Sequence, residues 1–158
     1  MNILPRQWLV GAAVVPVAAV CSALFTQHVL GMLPCPWCVL QRAIFLSITL
    51  AAVAGLLLRG AWPRRAAAAL MLALAGCGVA AALWQHFVAA ASVSCNLTLA
   101  DRVMTGTGLD AMWPEVFAPQ ASCADAAATL LGMPYEFYSL TLFVALAAAA
   151  VMVLRRPA

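Results

Sequence analysis

The sequence predicts an all-α membrane protein: a four-helix transmembrane bundle with both termini on the cytoplasmic side and a long external loop carrying a short interfacial helix. Three observations predict it. First, the 158 residues are 66% apolar and 8% charged, where an ordinary soluble domain is roughly 45–50% apolar and 25% charged. So few charges cannot cover a water-facing surface. Second, the chain contains apolar runs long enough to cross a bilayer, which takes about 20 residues. Third, the arginines gather at alternate ends of those runs. The length suits a single integral membrane domain over residues 1–158. The net charge of +3 is scattered rather than patched, so nucleic acid is not an expected partner.

The first span runs from Trp8 to about His28, with Pro16 in its middle. A spanning helix tolerates proline because neighbouring groups satisfy the freed backbone. A secretory signal would have an apolar core of only about 7–15 residues and then a small-residue cleavage site. This run is longer and ends without one, so it reads as a retained helix. Gly31, Pro34 and Pro36 break helix and mark the first external loop, residues 29–38. The second span runs from about Val39 to Leu58 and ends at the basic loop Arg59-Gly60-Ala61-Trp62-Pro63-Arg64-Arg65. The third covers about Ala66 to Val88, the second external loop residues 89–134, and the fourth span Tyr135 to Leu154, closed by Arg155-Arg156. With four spans, Arg6, Arg59, Arg64, Arg65, Arg155 and Arg156 fall on one side, and Arg102 alone on the other. Arginine excess in short loops marks the cytoplasmic side.

That topology sorts the cysteines. Cys35, Cys38, Cys95 and Cys123 lie on the external side, where disulfides persist. Cys21 and Cys77 fall within spans and read as inert small hydrophobes serving packing.

Cys35-Pro36-Trp37-Cys38 is a C-x-x-C pair where the second helix begins. The partial positive charge of a helix N-terminus lowers thiol pKa, and the thiolate is the nucleophile. Strained or exposed disulfides are the labile, catalytic ones. The same spacing also occurs in static disulfides and as half of a zinc site. Arg42 follows Cys38 on the same helix face, one turn deeper. It either snorkels to the interface or is a held cation that polarises a carbonyl or stabilises an anion beside Cys38. Gln41 either donates a hydrogen bond there or packs against a neighbouring helix.

In the long loop, Thr105-Gly106-Thr107-Gly108 reads as a flexible tract between Cys95 and Cys123. Leu109, Met112, Trp113, Val116 and Phe117 then recur on one helical face. Pro114 limits that helix to a short piece starting near it, expected to lie in the membrane interface. His86, near the outer end of the third span, shares a leaflet with Arg42; on its own a histidine there, like His28, is more often a satisfied interface residue. No metal-ligand pattern, phosphate loop or internal repeat is present. Four external cysteines could in principle form a thiolate metal site, but Cys95 and Cys123 are too far apart in sequence for the usual paired spacing. A structural four-span protein with static disulfides is the other alternative.

Four spans, an external C-P-W-C-x-x-Q-R motif, two further external cysteines, the stretch Trp113-Pro114-Glu115-Val116-Phe117 before Cys123, and Gly132-Met133-Pro134 before the last span together resemble the bacterial disulfide bond formation protein B family. The resemblance covers Trp8 to Leu154. It implies a quinone-dependent protein-disulfide oxidoreductase of the inner membrane, active on the periplasmic face. The partners implied are a soluble DsbA-type thiol oxidase of thioredoxin fold, the membrane quinone pool (ubiquinone or menaquinone) and the lipid bilayer. It also implies the order of events. The partner's cysteine attacks the Cys95–Cys123 disulfide at Cys95, Cys123 exchanges with Cys35, and Cys38 is freed to react with the quinone. Arg42, with Gln41 and His86, is the implied quinone-binding set.

Overall fold

The structure, a computed structural model, describes residues 5–58, 60–91 and 98–155. Four long helices carry it: α1 Pro5–Leu30, α2 Pro36–Leu57, α3 Ala61–Trp84 and, at the C-terminal end, Tyr135–Leu154. All four are long and apolar enough to span a membrane, and α3 does so together with the π-helical turn Gln85–Ala89 that continues it. The chain is therefore an all-α, multi-pass membrane bundle. Three short helices lie between the third and fourth spans: α4 Leu99–Thr107, α5 Leu109–Met112 and α6 Pro114–Phe117. A hairpin of two-residue strands, β1 Thr129–Leu130 and β2 Met133–Pro134, leads into the last helix, α7. Its turn residues Leu131 and Gly132 both have positive φ, the geometry of a tight hairpin turn.

The four spans pack in a ring: α1 on α2, α2 on α3, α3 on α7, and α7 more lightly back on α1. Small residues make the close contacts, as expected where lipid supplies no hydrophobic drive between helices. Ala51, Ala52, Ala68, Ala75 and Ala150 are buried. Gly78 lies so near the ring of Phe143 that a Cβ there would collide with it. Phe143 in turn stacks on Phe45 with centroids 4.1 Å apart. Large apolar side chains such as Val14, Phe25, Leu50, Leu57 and Leu70 face outward, a surface suited to acyl chains. Cys21 and Cys77 lie there too. They occupy the outer face of their helices instead of packing positions, because alanines and Phe143 fill the interior.

The connection after α3 differs from the expected flexible tract. Thr105 to Thr107 end helix α4, which begins with a reciprocal cap between Thr98 and Asp101. Ala100 and Met104 are buried on its inner face, and Gly108 closes it in the left-handed conformation. The expected single face from Leu109 to Phe117 is also split. Trp113 takes φ −138° and ψ 73° ahead of Pro114, so Phe117 turns inward while Met112 and Trp113 are exposed.

Candidate active site

Among the described residues, five polar or charged side chains are buried: Gln27, Gln41, Arg42, Gln85 and Glu136. They come from the end of α1, the start of α2, the π turn after α3 and the start of α7, so all five gather at the C-P-W-C end of the bundle. Polar groups buried at membrane depth are costly and mark functional sites. The opposite half of the interior is apolar.

The cysteines sit at the head of this cluster. Cys35 is the N-cap of α2, and its sulfur accepts from the Cys38 backbone N–H at 3.2 Å. Pro36 follows at the first helical position, where its missing N–H costs nothing. The two sulfurs are 2.7 Å apart. Cys35 is fully buried, and Cys123 packs against it from the other side. The segment before Cys123 is pinned to the C-P-W-C loop, since the Pro34 carbonyl accepts from the backbone N–H of Gln120 at 2.9 Å and of Ala121 at 3.3 Å. Hydrogen bonding to Cys123, then to Cys38, and then burial push the Cys35 thiol far up. The same bond from Cys35 holds the Cys123 thiol below its ordinary value, against the opposing effect of burial. Cys35 therefore keeps its proton, and Cys123 is the more nucleophilic of the two. Cys95 lies outside the described residues.

On its other side Cys38 meets side chains from α2 and the π turn. The Gln85 amide donates to its sulfur at 3.3 Å, and Gln41 donates to Gln85 Oε1 at 2.7 Å. Gln41 thus reaches Cys38 only through Gln85. Arg42 Nη1 donates to Gln27 Oε1 at 2.8 Å and to the Val116 carbonyl at 3.0 Å. The arginine does not snorkel; it is a held cation joining α1, α2 and α6. Gln27 donates in turn to the Glu115 carbonyl at 3.3 Å. His28 lies 3.7 Å from Glu115 at the exposed rim.

Below these groups is a cavity of about 260 Å³ lined by Cys38, Gln41, Arg42, Gln85, Tyr135 and Glu136. Its deeper wall is apolar, from Val20, Phe45 and Leu142, and it lies between α1 and α7, where the ring of helices is loosest. His86 is not part of the wall. Its Nδ1 lies 2.6 Å from Oε1 of Glu136, which is. Gln27, Gln85, Tyr135 and Glu136 are site residues that the motifs do not single out. Gln27, Gln85 and Glu136 carried a signal, each being a polar residue inside an otherwise apolar run.

The arrangement brings a nucleophilic thiol, a buried C-x-x-C pair and a cation-lined apolar cavity into one sequence of contacts. A sequence model of the family described as disulfide bond formation protein DsbB matches residues 5–153. A disulfide bond formation protein B of Aromatoleum aromaticum is 35% identical over 147 residues, covering 87% of this chain and 88% of its own. One from Pseudomonas syringae pv. tomato is 30% identical over 140 residues, covering 88% and 83%.

Proposed function

The chain belongs to the disulfide bond formation protein B family, and from that premise we propose that it reoxidises a soluble periplasmic DsbA-type dithiol oxidase and passes the electrons to a membrane quinone. It does so in the bacterial inner membrane, with the cysteine-bearing end of the bundle facing the periplasm and both termini in the cytoplasm. The observation that carries this reading is the placement of Cys35 between two neighbours. Cys123 contacts it from the loop side, and Cys38 connects it to the cavity.

The cavity fits a quinone head group. Its volume of about 260 Å³ is near the lower end of ligand pockets, roughly 300–1,000 Å³, and suits a single ring. Most of its wall surface is apolar, and Gln41, Arg42, Gln85 and Glu136 supply buried polar groups, as a flat ring with two carbonyl oxygens requires. A quinone supplies a two-electron, two-proton acceptor. Arg42 stabilises negative charge developing on a carbonyl oxygen next to Cys38; its guanidinium has five N–H donors, and the contacts to Gln27 and Val116 use Nη1. Gln85 holds the Cys38 sulfur with a donated hydrogen bond, and Gln41 fixes the orientation of that amide.

The order of the thiol steps is the one the family implies, and the contact of Cys123 with Cys35 supports it. The partner's cysteine attacks Cys95 of the Cys95–Cys123 disulfide and releases Cys123. Cys123, already against Cys35, attacks the Cys35–Cys38 disulfide at Cys35. Cys38 leaves as the thiolate at the cavity wall. The partner's second cysteine then displaces Cys95 and leaves the partner as its disulfide. Cys95 displaces Cys35 from Cys123, so that Cys35 is freed as the thiol.

Purified protein in lipid, given a reduced DsbA-type oxidase and either ubiquinone or menaquinone, tests this. Loss of reduced partner should match quinol formed, and Cys38→Ser should abolish quinol formation. Oxidation of the partner that proceeds unchanged when quinone is withheld would overturn the proposal.

A further inference from the structure

Reoxidation of the Cys35/Cys38 dithiol has a proton requirement that the sulfurs alone do not meet. Forming the Cys35–Cys38 bond sends two electrons to the quinone, and the quinol also takes up two protons. Cys38 reacts as a thiolate, so its proton has already left. One proton comes from Cys35, and another must be brought into an apolar cavity.

Glu136 lies where that proton is needed. It is the one carboxyl side chain on the cavity wall, and its side chain is only 10% exposed. Its partner His86 is 32% exposed, so the pair leads from the outer surface to the cavity. His86 makes edge contacts with Phe87 and Phe137, with ring centroids 4.9 Å and 4.8 Å away. The π-helical turn places it there: consecutive residues Gln85 and His86 point to different helices, one to Cys38 on α2 and the other to Glu136 on α7. Such turns recur at functional sites. The other titratable or charged side chains on the wall are Cys38, Arg42, Tyr135 and Tyr138. Arg42 does not give up its protons, and Tyr138 donates its own to the Leu130 carbonyl.

We propose that Glu136 delivers a proton to the quinone oxygen during reduction and that His86, whose Nδ1 lies 2.6 Å from its carboxyl oxygen, recharges it from the periplasmic side. This deepens the quinone reading above and rests on it. Glu136 is the group that touches the acceptor, and His86 is a positioning residue that acts through it.

Two measurements test the relay. Glu136 and Glu115 are the only glutamates in the chain, so a Glu115→Gln protein grown on ¹³C-glutamate carries one labelled carboxyl. Binding a redox-inert quinone analogue should shift its infrared carboxyl band, without any turnover. In single turnovers of the reduced protein, Glu136→Gln should slow quinol formation about a hundredfold, the lower end for a positioned proton donor. Exchange with the partner oxidase should be unaffected. Acetate should restore part of the rate to Glu136→Ala and leave the wild type unchanged. A merely structural tie between α3 and α7 would not respond to acetate. An unmoved carboxyl band overturns the proposal even if the variants fail to fold, as does full-rate reduction in Glu136→Gln. If the wild-type protein neither binds nor reduces quinone, the quinone reading falls and the relay with it.

Discussion

Arg42 and Gln27 are joined by a 2.8 Å hydrogen bond between the guanidinium and the side-chain carbonyl, so the only buried cation among the described residues is tied to the first helix. Arg42→Ala removes a charged donor from the cavity, and hydrogen bonds to charged groups contribute about 1.5–3 kcal/mol. That corresponds to a quinone requirement raised about tenfold to a hundredfold, at roughly 1.4 kcal/mol per tenfold. Because Arg42 also holds the Val116 carbonyl, α6 should loosen modestly, while exchange between the partner and Cys95–Cys123 stays nearly intact. Arg42→Lys, which keeps the charge and loses the fork, should be intermediate. Steady-state assays with quinone and partner varied separately check this. A change in the partner dependence alone would assign Arg42 to docking.

The cysteines should divide into two classes. Cys35, Cys38, Cys95 and Cys123 are each expected to be required for turnover. Cys21→Ala and Cys77→Ala should retain most activity, since both thiols lie on the outer face of the bundle. Cys123→Ser should trap Cys95 in a mixed disulfide with the partner, detectable on a non-reducing gel.

Cys123 should also show its contact with Cys35 as a pH effect. A thiol held below its ordinary value stays ionised to lower pH, and the largest cause here is the bond from Cys35. In the reduced protein, the pH midpoint for alkylation of Cys123 should therefore lie below that of an ordinary cysteine. In Cys35→Ala it should move upward. A midpoint indifferent to Cys35 would mean that the two sulfurs do not interact.

Gly78→Ala should destabilise the bundle. The added methyl would meet the Phe143 ring, which is fully buried and stacked on Phe45. Overpacking of this kind costs about 1–3 kcal/mol, visible as a lower thermal unfolding midpoint in detergent. Gly76→Ala, with open space around it, should be neutral or slightly stabilising.

Topology should follow the arginines. Reporters fused after Arg65 and after Arg156 are expected to read cytoplasmic, and one near Gly106 external. An external reading after Arg65 would put Cys35 and Cys123 together on the cytoplasmic side, out of reach of a periplasmic partner.

The membrane-bundle class and the family motif are legible in the chain alone. Apolar runs of spanning length are a local property of the chain, and lipid leaves helices as the available way to satisfy their backbones. The C-x-x-C pair and the turn from Cys38 to Arg42 are likewise set by neighbouring residues on one helix. What those residues touch depends on how the helices assemble. Gln85 meets Cys38, Arg42 meets Gln27, and His86 meets Glu136 through contacts between separate helices, and the spacing along any one helix does not specify them. The connection after α3 is less legible in the chain. Glycines and threonines suggested a flexible tract, but the Thr98–Asp101 cap and the burial of Ala100 and Met104 outweigh that local tendency. Trp113 and Pro114 then break a periodicity that looked continuous. Which face of each short helix is buried depended on where the cysteine-bearing loop packs, and that is a property of the assembled bundle.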